Sequence, residues 1–168
     1  MGLIALFSVA TLIALAIQTS IPHWLPTGMF VPDLVMILAV DLGMKHHGAL
    51  AALMAFGMGY ATDAFAGTHP GFNAFVLTLV FLLAYALSRY LISTSVAIGI
   101  VVVFLGVLIQ GVFDYVVNLG WETGLRPGTL LMPVLVQAFI TAFLTPWVLT
   151  LMSWAKRSLG LRQISVRG

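Results

Sequence analysis

The stretch from Ala55 to Gly71, AFGMGYATDAFAGTHPG, sets one carboxylate, Asp63, among residues apolar enough to lie in lipid. An Asp at the centre of a membrane helix costs roughly 2.5 to 3.5 kcal/mol on insertion scales, so it needs a polar neighbour, water or a function. Stepping back from Asp63 by four gives Gly59, Ala55 and Ala51, a stripe of small residues that lets another helix backbone approach closely. Asp63 is therefore expected to point into a bundle, and the chain reads as an all-α integral membrane protein whose helices pack on one another.

Composition agrees. Of 168 residues, 61% are hydrophobic and 7% charged, and the mean hydropathy is +1.12, far from the mixed surface of a water-soluble domain of this size. There is no Cys, which excludes disulfides, thiolate nucleophiles and Cys-ligated metals. No Lys or Arg precedes the first apolar run, Gly2 to Ile21, so that run reads as a retained first span and not as a cleaved secretion signal. The net charge of +2 comes from basic residues scattered beside apolar segments instead of lining a groove, which argues for membrane topology and against nucleic acid as a partner.

Apolar length and breakers predict helices at Gly2 to Ile21, Pro32 to Met44, Gly48 to Gly67, Gly71 to Tyr90, Ser95 to Asn118 and Thr129 to Trp154. The second rises only about 20 Å, short for a crossing and compatible with a re-entrant segment. Charge placement favours six crossings: Lys45, Arg89, Lys156, Arg157, Arg162 and Arg167 then share one side and Arg126 alone takes the other. The positive-inside rule puts both termini in the cytoplasm. The outer connections, Pro22 to Val31, Thr68 to Pro70 and Leu119 to Gly128, carry Trp24 and Trp121, whose rings suit the membrane interface. The expected organisation is a six-transmembrane-helix bundle over 1–154 and a short basic cytoplasmic tail over 155–168, which could also hold anionic membrane lipids.

Asp33 follows Pro32 in a first helical turn and reads as a cap. Asp41 precedes Lys45 by four, the favourable order for an ion pair on one helix face. Two more polar stripes share the spacing: Gly106, Gln110, Asp114 and Asn118, and Pro133, Gln137, Thr141 and Thr145. Since lipid rewards none of these groups, the three polar faces are expected to turn toward one another. Asp33, Asp63 and Asp114 then gather at the outer level, where with Gln110 and Gln137 they form a small polar pocket for a cation or polar ligand. Alternatively they are carboxylates that cap loops and bond Asn73, Tyr60 or backbone N–H groups. No metal site is expected: His46 and His47 are adjacent and point about 100° apart on a helix, and the spacing of His23 and His69 from the outer acids is unremarkable. Phosphate-binding, nucleophile-elbow and zinc-hydrolase motifs are missing, so neither an enzyme nor a cofactor is expected.

The segments PDL at Pro32 to Leu34, FGMGYATDAFAGTHPG at Phe56 to Gly71 and TPWVLTLM at Thr145 to Met152 resemble the MreD family of bacterial rod-shape-determining membrane proteins. The most specific part is a G-x-x-x-D-x-x-x-G-x-x-x-G pattern, met by Gly59, Asp63, Gly67 and Gly71; Pro32, Asp33, Pro146 and Trp147 add order and spacing. Ala55 stands where relatives often carry Gly. The resemblance implies a multi-pass protein of the bacterial cytoplasmic (inner) membrane without catalysis. It implies an MreC-like single-pass partner and, indirectly, MreB, RodA and the transpeptidase partner of RodA. It also implies a six-helix body similar to the substrate-binding subunits of energy-coupling-factor transporters. That likeness supplies an alternative function: a small-molecule-binding subunit of an importer of that type.

Overall fold

The computed structural model describes residues 2–24, 31–46, 48–66, 71–90, 95–119, 127–158 and 160, with the side chains of 21–24, 117–119 and 127–131 outside that description. Six helices are described: α1 (Gly2–Trp24), α2 (Leu34–Lys45), α3 (Ala49–Ala66), α4 (Phe72–Tyr90), α5 (Val96–Leu119) and α6 (Pro127–Ser158). All but α2 are long and apolar enough to cross a membrane. The bounds follow the sequence reading closely, except that α1 runs past Ile21 to Trp24, into the expected outer connection, and α6 past Trp154 to Ser158, into the expected tail.

The short helix is the centre of the molecule. Twelve residues rise about 18 Å, well under a hydrocarbon layer of about 30 Å, yet every residue from Val35 to Met44 is buried. All five other helices pack on α2, which buries its middle, while Lys45 and His46 at its end are half-buried. At its start the Asp33 carboxylate accepts from the Met36 N–H at 2.9 Å, and at its end the His46 N–H donates to the Leu42 carbonyl at 2.8 Å.

Helix direction alternates. Gln18, late in α1, reaches Pro32 and Asp33 at the start of α2, whereas Phe7, early in α1, lies beside His46 after α2 and Lys156 late in α6. Gly106 of α5 faces Met36 and Gly99 faces Met44, so α5 runs antiparallel to α2. Asp63 meets Asn73 where α3 turns into α4. The helices α1, α3 and α5 thus run one way and α2, α4 and α6 the other, as six crossings require. One end of the bundle, here the terminal end, holds the start of α1 and the end of α6; the other, the far end, holds the turn from α3 to α4.

Two apolar clusters flank α2. Phe7, Leu15, Val35, Leu38, Leu42, Ala55, Met58 and Phe81 fill one; Met36, Ile37, Val40, Val80, Val103 and Val107 fill the other. Small residues set the tightest crossings: a Cβ on Gly59 would overlap the backbone of Asn73 and Ala74, and one on Gly43 would come 2.7 Å from the Phe81 carbonyl oxygen. This close approach is what the small-residue stripe ending at Asp63 makes possible. Gly71, with φ of 92°, supplies the left-handed residue that starts α4 after the turn, a conformation other side chains rarely adopt.

Candidate functional site

The polar side chains of the bundle fall into two layers separated by the apolar middle of α2. At the far end, Asp63 is buried on α3 and is held by its neighbour helix. Its Oδ1 accepts from the Asn73 N–H at 3.0 Å and from Asn73 Nδ2 at 2.9 Å. Its Oδ2 accepts from the Gly71 N–H at 2.9 Å and the Ala74 N–H at 3.3 Å. Three of these four donors are backbone N–H groups of the first turn of α4 or the residue before it, so the carboxylate caps α4 from a different helix and meets the positive end of its dipole. Such a constellation offsets the cost of burying a charge.

The layer continues sideways. Asn73 Oδ1 accepts from Gln110 Nε2 at 3.2 Å, tying α4 to α5. Asp33, also buried, accepts from Gln18 Nε2 at 3.3 Å, and its own N–H donates to the Thr141 hydroxyl at 3.0 Å, tying α2 to α1 and α6. At this level one set of polar contacts joins α3, α4 and α5 and a second joins α1, α2 and α6. Asp33, Asp63 and Gln110 belong to it as the sequence spacing suggests. Gln137 is half-buried and Asp114 is exposed. The outward position of Asp114 follows from helix geometry: each four-residue step turns about 40° past a full revolution, so the stripe that begins at buried Gly106 has rotated outward two steps later. Tyr60, offered by the sequence as a partner for Asp63, is exposed at 55%.

At the terminal end lies a second layer that the sequence only half disclosed. Asp41 is fully buried. Lys45, four residues on, stands 2.5 Å from its Oδ1, the expected pair. Across the bundle Lys156 donates to Oδ2 at 2.6 Å, and the Lys156 ammonium lies 4.8 Å from the Phe7 ring centroid, in cation–π range. The sequence reading places Lys156 in a short basic cytoplasmic tail, whereas it is buried near the end of α6. The signal that could have found it is its place one half-turn beyond Trp154 on an unbroken helical pattern, combined with the need of a mid-helix acid for a counter-charge.

Late in α6, Pro146 and Trp147 do not join either layer. Trp147 is 74% exposed, and with Phe139, Phe143 and Leu151 it forms an outward stripe at four-residue spacing. Pro146 offers no N–H to the carbonyl of Ala142. Val101, Phe104 and Leu105 of α5 form the opposite wall of an apolar lateral groove of about 790 Å³, with Phe104 edge-on to Phe139 at 5.2 Å. Of the other residues singled out by sequence, Pro32 carries the carbonyl that Gln18 binds. Gly67, His47, His69, Trp121, Arg162 and Arg167 lie outside the described residues, as do the side chains of His23, Trp24 and Asn118, while Arg157 is exposed in the last turn of α6.

Among the described residues no group of three or more His, Cys, Asp and Glu is arranged to hold a metal ion. The chemistry available is hydrogen bonding, charge pairing and apolar contact. The family model described as rod shape-determining protein MreD matches residues 2–155 of the chain. No curated protein and no solved structure matches it.

Proposed function

This chain belongs to the MreD family of rod shape-determining proteins of the bacterial inner membrane, and from that premise we propose that it is a non-catalytic scaffold of the cell-wall elongation machinery that docks an MreC-like single-pass protein. The observation that carries the reading is the state of Asp63. Its two oxygens accept four hydrogen bonds from the chain's own α4 and the turn before it, so the most conspicuous intramembrane acid is committed to holding the body together. The same commitment weighs against the importer-subunit alternative, which would draw on Asp33, Asp63 and Asp114 to hold a ligand.

The groove between α5 and α6 supports a docking role. Its walls are aromatic and branched apolar side chains fixed on two packed helices, and association inside a bilayer depends on packing of this kind because lipid competes equally for apolar surface. A partner's transmembrane helix laid along the Phe139, Phe143 and Trp147 stripe would meet large rigid surfaces. Contacts to MreB, RodA and its transpeptidase would then be indirect, through that partner.

Single Cys residues test this directly, since the native chain has none. Co-expressed with the MreC-like protein, Phe143→Cys and Trp147→Cys are expected to crosslink to its transmembrane helix, and Val9→Cys and Leu12→Cys on α1 are not. Crosslinks confined to α1 would move the docking face; failure of the two proteins to copurify would remove the partner. A retained vitamin or metal found by mass spectrometry would favour the importer reading instead.

A further inference from the structure

The terminal end of the bundle carries a charge imbalance. Asp41 faces two ammonium groups, Lys45 and Lys156, and of the four other acidic side chains in the chain, Asp33, Asp63 and Asp114 belong to the far half while Glu122 falls between α5 and α6. One carboxylate cancels one ammonium. The cluster is built into surroundings that penalise an uncompensated ion, with Asp41 0% and the Lys156 side chain 5% exposed, and opens outward only at Lys45, 24% exposed.

The two lysines are not equivalent. Lys156 donates an aligned hydrogen bond to Asp41 Oδ2 and is buried over Phe7. Lys45 is near Oδ1, but that oxygen accepts no aligned hydrogen bond, and the Lys45 side chain is 24% exposed. Lys45 also ends its helix. Contact with one carboxylate oxygen engages at most one of the three N–H donors of its ammonium, and the others can serve a second anion while Lys156 keeps Asp41 neutralised.

We propose that Lys45 receives a phosphate-bearing anion, the headgroup phosphate of an anionic phospholipid, at the terminal face of the bundle. A lysine at the end of a helix in a membrane bundle reaches the headgroup level by extending its stem, and phosphate is the anion concentrated there. The bound phosphate balances the three-group cluster and ties the C-terminal ends of α2 and α6 to the surrounding leaflet. This is a lipid site independent of the partner groove between α5 and α6.

Native mass spectrometry of the full-length protein offered phosphatidylglycerol or phosphatidylcholine tests the proposal. Wild type is expected to retain phosphatidylglycerol in preference, Lys45→Gln to lower that retention about fivefold, and Lys45→Arg and Arg89→Gln to leave it unchanged. In lipid-free micelles, stabilisation of wild type but not of Lys45→Gln by inorganic phosphate would support the same site reading the free ion. Equal retention of the two lipids by wild type, without stabilisation by inorganic phosphate, overturns it; that comparison decides even if Lys45→Gln fails to fold. Equal retention of phosphatidylglycerol by wild type and a folded Lys45→Gln also overturns it.

Discussion

Gly59 and Asp63 lie one turn apart on α3 and depend on each other: the glycine brings the α4 backbone close enough for the carboxylate to collect its N–H groups. Gly59→Ala drives a Cβ into Asn73 and Ala74 and is expected to destabilise by about 1 to 3 kcal/mol. Gly57→Ala, whose Cβ would meet nothing within 4 Å, should leave thermal unfolding in detergent unchanged. Asp63→Ala strips four donors of their acceptor and should cost about 3 kcal/mol or more; Asp63→Asn, keeping one acceptor oxygen, should cost less. If Asp63→Ala stays folded and still captures the MreC-like partner at full strength, Asp63 has no part in docking. The inward aim of Asp63 was legible from the small residues behind it at four-residue steps. Its main partner was one of several candidates, because Asn73 lies across a turn whose geometry a spacing rule does not fix.

At the scale of the element, α2 shows how a helix of 12 residues can lie at the buried centre of a bundle of longer ones. The sequence of α2 and its cap gives length, apolarity, two acids eight residues apart and one counter-charge, Lys45, but nothing in it names Lys156. Removing Asp41 alone, as Asp41→Leu, leaves Lys156 buried without its partner and should cost about 3 to 5 kcal/mol. The double variant Asp41→Leu with Lys156→Met should recover most of that loss, since Lys45 can extend to water and the remaining pair is apolar. Unfolding curves of the two variants check this, and equal losses would mean that the Lys156 contact is incidental. Helix α6 is long enough to serve two roles along its length: Thr141 and Lys156 face the interior while Phe143 and Trp147 face outward.

For the whole molecule, alternation of the six helices makes a topological prediction. With single Cys residues, Ser95→Cys and Ser158→Cys at the terminal end should be labelled from one side of the membrane and Ala66→Cys at the far end from the other. The excess of Lys and Arg near the terminal end predicts that the shared side of Ser95 and Ser158 is the cytoplasm. Labelling of Ser95 and Ser158 from opposite sides would break the six-pass arrangement. The central position of α2 also predicts that the body behaves as one cooperative unit, because all five other helices pack on it and polar contacts at both of its ends tie it to α1 and α6.

The sequence by itself determined the membrane class, the six helices and the inward face of α3, because hydrophobic length and four-residue periodicity are local properties of the chain. It also carried the family pattern through Gly59, Asp63 and Gly71. Tertiary structure alone decided that α2 lies at the centre and that Lys156 reaches back to Asp41. Residues 41 and 156 are far apart in the chain, and only the packing of α6 along α2 brings a carboxylate and an ammonium into one buried space where each makes the other tolerable.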